Sequence, residues 1–189
     1  MVPLTDLWLP IVLAAVFVFV VSSVIHMALQ IHKGDMKKLP NEDQLLAAMR
    51  AQSVQPGMYM FPCAGSMKEF GTPEMKKKLE QGPVGSMILR PSGGFSMGAS
   101  LLQWFVFSLL IGACAGYAAG IVLGPGADAM TVFRVTSTVA LLGYAFSSIQ
   151  DSIWKAVPWS VTAKFVFDGL VYALVTGATF AWRWPHLGA

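Results

Sequence analysis

The sequence has 189 residues, of which 55% are hydrophobic and only 12% are charged, against a charged fraction of roughly 25% in soluble domains. So little charge over so long a chain excludes an ordinary water-soluble domain and favours an integral membrane protein. The segment 31–98 carries nine Lys and Arg against six Asp and Glu, and it accounts for the whole formal net charge of +3. Basic charge between apolar runs is explained by the orientation of the chain in a bilayer, so it does not indicate binding to a nucleic acid. We therefore expect no nucleic-acid partner.

The first predicted transmembrane helix occupies residues 7–30. It has no Lys, Arg, Asp or Glu from Leu7 to Leu29, which is enough at 1.5 Å per residue to cross a hydrocarbon core of about 30 Å. No basic region precedes it, and its apolar run is longer than that of a signal peptide. We therefore expect a retained span.

Residues 31–98 form the only sizeable polar segment, and their turn and cap residues predict local structure. Helix signals run from Pro40 to about Gln52 and from Thr72 to about Gln81, whereas residues 58–61 and 86–89 are typical of short strands. We expect the two strands to pair and to form a small α/β-like cap between transmembrane helices 1 and 2.

Three further transmembrane helices are predicted over residues 99–123, 130–152 and 159–184. The expected fold class is therefore an all-α membrane protein, a four-transmembrane-helix bundle with the cap as its cytoplasmic part. With residues 31–98 inside, eleven of the thirteen Lys and Arg are cytoplasmic, and both termini lie outside. The predicted location is a bacterial inner membrane.

Two predicted spans carry small residues at every fourth position, which places them on one face of each helix. The first small-residue ladder is Ser108, Gly112, Gly116 and Gly120, and the second is Gly169, Ala173 and Gly177, continued by Ala181. The simplest expectation is that the two ladders pack on each other. Either could instead form an interface with a second copy or with a partner membrane subunit.

Asp168 is the most conspicuous single residue, because it lies about two turns into the fourth predicted span. An ionised carboxylate at that depth costs at least about 2.5–3.5 kcal/mol on insertion scales, so it needs a partner. Lys164, one turn earlier on the same helical face, would make a structural pair. Alternatively, Asp168 is part of a proton or cation site whose other residues fall at a similar depth: Ser22, His26, Gln103, Ser148 and Asp151.

A second candidate site lies in the polar segment, where thioethers and one thiol cluster in sequence: Met58, Met60, Cys63 and Met67. Soft sulfur ligands suit Cu(I), and His26, His32 and Met36 are not far away along the chain. The spacing matches no established ligand pattern, and methionine also packs short loops. Copper is therefore an alternative, and the primary expectation is that the protein has no cofactor.

Parts of the second half of the chain resemble a known group of sequences. The residues are Gly143-Tyr144-Ala145, Ser152-Ile153-Trp154-Lys155, Pro158-Trp159-Ser160 and residues 164–169, together with residues 82–85 and Trp104-Phe105. They are similar to uncharacterised bacterial integral membrane proteins of comparable length. The resemblance implies a bacterial origin and four spans, and it carries no function.

The motifs of common enzyme classes are absent from the sequence: there is no phosphate-binding loop, HExxH, G-x-S-x-G or dinucleotide fingerprint. We therefore expect a non-enzymatic structural or accessory subunit whose glycine ladders engage a partner. The alternative is a small oligomeric transporter for ions, protons or a soft metal, which would use the polar site around Asp168.

Overall fold

The computed structural model describes residues 1–94 and 96–186. Over these residues it is mostly helical, with four helices that are long and apolar enough to cross a membrane and one small two-stranded sheet. The prediction of a helical protein with four long apolar helices and a small sheet is therefore confirmed. The chain divides into two compact units. The first comprises residues 1–35, 96–153 and 157–186, and the second comprises residues 36–94 and 154–156.

The first long helical segment changes its winding along its length. A 3₁₀ turn over Leu4–Leu7 leads into α1, Trp8–Ser23, and a π-helical turn follows over Val24–Leu29. The segment ends at Gln30, whose φ of 50° is left-handed. π-Helical turns inside α-helices occur frequently at functional sites, and this one contains His26.

The other three candidate spans begin and end within three residues of the predicted ranges. The second is α5, Met97–Val122, and the fourth is α8, Trp159–Arg183. The third consists of two helices, α6 (Ala129–Tyr144) and α7 (Phe146–Lys155). They meet at Ala145, where the backbone approaches Gly169 of α8 so closely that a Cβ on that glycine would lie 2.7 Å from the Ala145 Cβ.

Each of the long helices α1, α5, α6 and α8 of the first unit packs on two others. Helix α1 contacts α5, α5 contacts α6, α6 contacts α8, and α8 returns to α1. An apolar cluster that includes Val2, Leu7 and Phe180 holds the end of the bundle that contains the N-terminus. A second cluster, built on Val18, Ile25 and Tyr172, lies toward the other end.

The expectation that the two small-residue ladders pack on each other is wrong. In the first ladder Gly112 lies against Ile11, and Gly120 lies against the Val2 carbonyl, whereas Gly116 lies against Leu7 and the Phe180 ring of α8. This ladder therefore receives the N-terminal segment, α1 and one side chain of α8, but not the glycines of the second ladder. In the second, Gly177 lies against Phe133 and Ser137 of α6. Each glycine face lies against the backbone and side chains of a different segment, because the missing Cβ atoms let a neighbouring backbone approach closely.

The second unit contains the predicted sheet and the short helices. Strand β1, Gly57–Phe61, pairs antiparallel with β2, Gly85–Leu89, which confirms the predicted pairing. Its helices are α2 (Glu42–Ala51), α3 (Met67–Phe70) and α4 (Pro73–Gln81). The Thr72 hydroxyl caps α4 by accepting a hydrogen bond from the Met75 amide. One residue of the predicted 31–98 segment, Phe95, lies outside the described residues.

Candidate cation site

Five charged or titratable side chains meet at one end of the first unit, and we call this group the histidine cluster. His26 belongs to the π-helical turn, and His32 and Asp35 follow in the turn that leaves it, where the Asp35 amide donates to the His32 carbonyl at 3.0 Å. Lys164 and Asp168 come from the first half of α8. Residues from opposite ends of the sequence therefore build one site.

Asp168 lies at the centre of the cluster and is only 2% exposed. Its Oδ2 is 2.8 Å from Nε2 of His32 and 3.5 Å from Nε2 of His26. Its Oδ1 is buried and has no hydrogen-bond partner among the described residues. A buried carboxylate oxygen without a partner carries a desolvation penalty of about 1–3 kcal/mol or more, so this oxygen calls for an explanation.

His32 bridges two carboxylates. Its Nε2 faces Asp168, and its Nδ1 lies 2.7 Å from Oδ2 of Asp35. An imidazole has one nitrogen for each of two partners, so this ring joins the carboxyl groups of Asp35 and Asp168. The ring stacks on His26, with centroids 4.7 Å apart, and lies against Phe165.

Lys164 does not form the structural pair with Asp168 that its spacing suggested. Its ammonium group binds Oδ1 of Asp35 at 2.5 Å and the Ile31 carbonyl at 2.8 Å. The backbone turn after the first helix brings Asp35 within reach, and the two histidines occupy the space beside Asp168. The Lys164 ammonium, assisted by His32, lowers the pKa of Asp35 below its ordinary value of 3.8.

The cluster adjoins an aromatic region inside the bundle. Tyr172 lies one turn after Asp168 on α8, and its hydroxyl is 3.5 Å from Nε2 of His26. Its ring packs against those of Tyr144 and Trp104. Trp104 in turn donates from Nε1 to the Ser22 hydroxyl at 3.0 Å. A line of polar aromatic groups thus leads from the carboxylate into the interior.

The outer side of the cluster is open. The His26 side chain is 43% exposed, although that of His32 is only 14% exposed. An open pocket is bordered by both histidines together with Met27, Gln30 and Lys33. A small ion can therefore reach the histidines, whereas the carboxylate lies beneath them.

Of the residues predicted to converge on Asp168, His26 lies beside its carboxylate, with Nε2 3.5 Å from Oδ2. Ser22 is engaged with Trp104, and Ser148 donates to the Ala145 carbonyl of its own helix turn at 2.6 Å. Gln103 is exposed on α5, and Asp151 is half-buried on α7. Position along the helix alone was an insufficient criterion, because it does not fix the direction in which a side chain points.

Sequence reasoning missed the roles of His32 and Asp35. A signal was present, since His26, His32 and Asp35 follow one another at the end of the first apolar run. Their link to α8 depends on a turn whose geometry the sequence pattern does not show.

The four sulfur residues proposed for copper lie in the second unit, and all of them are exposed. Met58 and Met60 alternate onto the same exposed face of β1, Cys63 follows the strand, and Met67 begins α3. The Cys63 thiol makes a contact of 3.8 Å with the carbonyl of the next residue. Copper binding at these residues stays a prediction.

Comparisons with family models, with curated proteins and with solved structures all found no match to this chain. The resemblance suggested by the sequence therefore stays an expectation. The class that the fold defines is a helical protein with four candidate membrane spans, and the histidine cluster is its most distinctive chemical feature.

Proposed function

We propose that this chain is an integral membrane protein that binds a cation at Asp168 and transfers it across or into the membrane, rather than an enzyme. The observation that carries the proposal is the buried carboxylate of Asp168, which faces two histidines and keeps one oxygen without a partner. This choice favours the ion-handling alternative over the accessory subunit.

The choice between a structural pair and a cation site depends on Lys164. A carboxylate that served only stability would be neutralised by the lysine one turn away, at the low cost of a local pair. That lysine instead neutralises Asp35, and Asp168 is left with imidazoles. An imidazole nitrogen that carries no proton offers a lone pair to a cation.

The expectation of an accessory role rests on glycine ladders that are free to engage a partner. In this chain, however, Gly112 and Gly177 are already covered by other helices of the same bundle, and Gly120 is covered by the N-terminal segment. The ladders therefore give no support for docking a second protein. Four helices leave little room for a pathway through one subunit, so we propose transfer through a homo-oligomer.

We also propose that both termini lie outside and that residues 36–94 lie in the cytoplasm of a bacterial cell, which places the histidine cluster at the cytoplasmic face. The two native thiols allow a direct check. In a Cys114→Ser variant, Cys63 is expected to react with a membrane-impermeant maleimide only in inverted vesicles. Labelling of Cys63 in intact cells would contradict this orientation.

The function is tested by flux into proteoliposomes that contain the purified protein. A trapped pH-sensitive dye reports protons, and a trapped zinc-sensitive dye reports a divalent metal. We expect flux of at least one of these cations with the native protein and its loss in Asp168→Asn. The matched control is Asp6→Asn, which removes an exposed acid at the other end of the bundle and should leave the flux unchanged.

Folding of each variant is checked by its elution as a single species from a size-exclusion column in the same detergent. Proposed transfer is contradicted if the native protein supports neither flux, or if a well-folded Asp168→Asn variant transports as fast as the native protein.

A further inference from the structure

We propose that Nε2 of His26, Nε2 of His32 and the carboxylate of Asp168 together bind a first-row divalent transition metal of the zinc class. The inference deepens the proposed function by naming the cation and rests on it in that respect. The binding site itself can be tested without any transport measurement.

The three ligand atoms already lie close to coordination distances. They are all within 4.8 Å of one another. Zinc bonds to nitrogen and oxygen of about 2.0–2.2 Å in tetrahedral geometry place neighbouring ligand atoms about 3.3–3.6 Å apart. The distance of 3.5 Å from His26 to Asp168 fits directly. The distance of 2.8 Å from His32 to Asp168 is that of a hydrogen bond and must open by about 0.5 Å as the metal replaces the proton.

The donor set selects the class of metal. Two imidazole nitrogens and one carboxylate suit Zn²⁺ and its first-row neighbours, whereas Mg²⁺ and Ca²⁺ prefer sites made of oxygen ligands, and Cu(I) prefers sulfur. Three protein ligands leave a fourth position for water or for a cation in transit. That open position is consistent with the exposure of His26.

The unpartnered oxygen of Asp168 is independent support for a ligand at this place. Oδ1 is buried without a hydrogen bond among the described residues. A metal held by Asp168 can take this oxygen as a second carboxylate ligand, or can bind a water that donates to it. Either arrangement removes the desolvation penalty that the oxygen otherwise carries.

The surroundings supply the outer hydrogen bonds that metal-binding histidines usually have. Nδ1 of His32 lies 2.7 Å from Asp35, and a carboxylate there fixes the ring so that Nε2 presents its lone pair. The Lys164 ammonium binds the other oxygen of the Asp35 carboxylate. The stacking of the two imidazoles, at an interplanar angle of 25°, must fan out slightly so that both lone pairs converge on the metal.

The experiment measures Zn²⁺ bound per chain by equilibrium dialysis of the full-length protein in detergent, followed by elemental analysis, with Mg²⁺ present in excess. We expect one tightly held Zn²⁺ per chain in the native protein. His26→Gln should weaken the affinity about 10- to 100-fold, and Asp168→Asn should abolish specific binding. The matched control is His186→Gln, which alters the third histidine of the chain, an exposed residue at the far end of α8.

Co²⁺ provides a second readout, because its visible spectrum is intense in four-coordinate sites and weak in water. We expect that spectrum in the native protein and in His186→Gln but not in His26→Gln. The His26→Gln variant should fold, because the His26 side chain is partly exposed. The inference is overturned if native protein holds no Zn²⁺ above the Mg²⁺ background, or if His26→Gln and His186→Gln behave alike.

The failures of the two proposals can be told apart. Zinc binding without any cation flux would leave the metal site standing and remove the transport function. Proton flux that requires Asp168, in a protein that binds no Zn²⁺, would leave the transport function and remove the metal.

Discussion

The two ends of the four-helix bundle are built by opposite means. The termini end is closed by apolar packing around Leu7, Phe180 and Trp184, where the Val2 amide donates to the Gly120 carbonyl and the Trp184 indole donates to the Gly124 carbonyl. The histidine end gathers three potential cations and two carboxylates in the histidine cluster. The same helices therefore support an apolar seal at one end and a charged site at the other.

The difference separates an end whose packing is accounted for by stability from an end that contains a buried acid. Apolar packing and hydrogen bonds to backbone carbonyls close the termini end, so a buried ion pair is unnecessary for holding these helices together. Burying a carboxylate in a protein with so few charges is unfavourable unless it is compensated. An end that retains such a group, with one oxygen unsatisfied, is the end where a ligand is expected.

The largest effect on stability is expected from Gly177→Ala. A Cβ at this position would lie 2.8 Å from the Ser137 Cβ and 3.0 Å from the Phe133 carbonyl oxygen, so α6 and α8 must separate. We expect a loss of about 1–3 kcal/mol in the free energy of unfolding, measured by thermal unfolding in detergent.

The control for that variant is Gly98→Ala on α5, where an added methyl group meets open space. It should keep or slightly raise the unfolding midpoint, because alanine is the better helix former. Equal midpoints for the two variants would show that the close contact of α6 with α8 does not hold the bundle.

Apolar replacement of an acid should change stability in opposite directions at the two ends of the bundle. Asp168→Met combined with His32→Leu replaces a buried acid and the imidazole that faces it with apolar side chains, which is often neutral or stabilising by about 1–4 kcal/mol. Asp35 keeps Lys164 as its partner in this double variant. We expect the unfolding midpoint to stay constant or rise while zinc binding and flux are lost.

Asp128→Met provides the contrast at the termini end. Asp128 caps α6 by accepting a hydrogen bond from the Thr131 amide, and loss of such a cap costs about 0.5–2 kcal/mol. This variant should be less stable and fully active. If the double variant Asp168→Met with His32→Leu were instead the more damaging to stability, Asp168 would be a structural residue.

A smaller effect, on affinity alone, is expected from Asp35→Asn. The change replaces the carboxylate that faces Nδ1 of His32 by a weaker hydrogen-bond acceptor and leaves the three proposed zinc ligands in place. Zinc affinity should therefore fall about 10- to 100-fold. Titration with Zn²⁺ against a chromophoric chelator measures it. Asp43→Asn, an exposed acid on α2, is the control and should bind as the native protein does. Unchanged affinity in Asp35→Asn would mean that this carboxylate does not position His32.

The smallest effect is the pH dependence of the pair between Lys164 and Asp35. The lysine lowers the pKa of Asp35 in the folded protein. The stability that the pair contributes is therefore fully present at a pH above the pKa of Asp35 in the unfolded chain, about 4. This stability is lost as the pH falls through the lower pKa of Asp35 in the folded protein. The gap in unfolding midpoint between the native protein and Asp35→Asn should therefore be constant from about pH 5 to pH 7 and shrink below about pH 4. A gap that persists at the acid end would show that Asp35 stabilises the fold by something other than its charge.

Hydropathy and turn signals were sufficient to predict the helices and the small sheet, because each of these features depends on local sequence. Long apolar runs define the four candidate spans, and Thr72 with Pro73 marks the start of α4 as the rule for helix caps requires. The pairing of β1 with β2 followed from two short strands bounded by turns.

The partners of individual side chains were harder to predict, because they depend on tertiary packing. Lys164 was paired with Asp168 on spacing alone, yet its partner is Asp35, 129 residues away in sequence. The two ladders looked complementary, yet Gly120 receives the backbone of Val2. Local spacing shows which residues share a helical face, but only the packed structure shows what that face meets.

The most direct test of the cation site is an anomalous difference map from crystals of the full-length protein grown with Zn²⁺. We predict one peak at the histidine end, about 2.0–2.2 Å from Nε2 of His26, Nε2 of His32 and a carboxylate oxygen of Asp168. A map at saturating Zn²⁺ with no peak there, or with its peak beside Cys63, would contradict the assignment of the histidine end as the cation site.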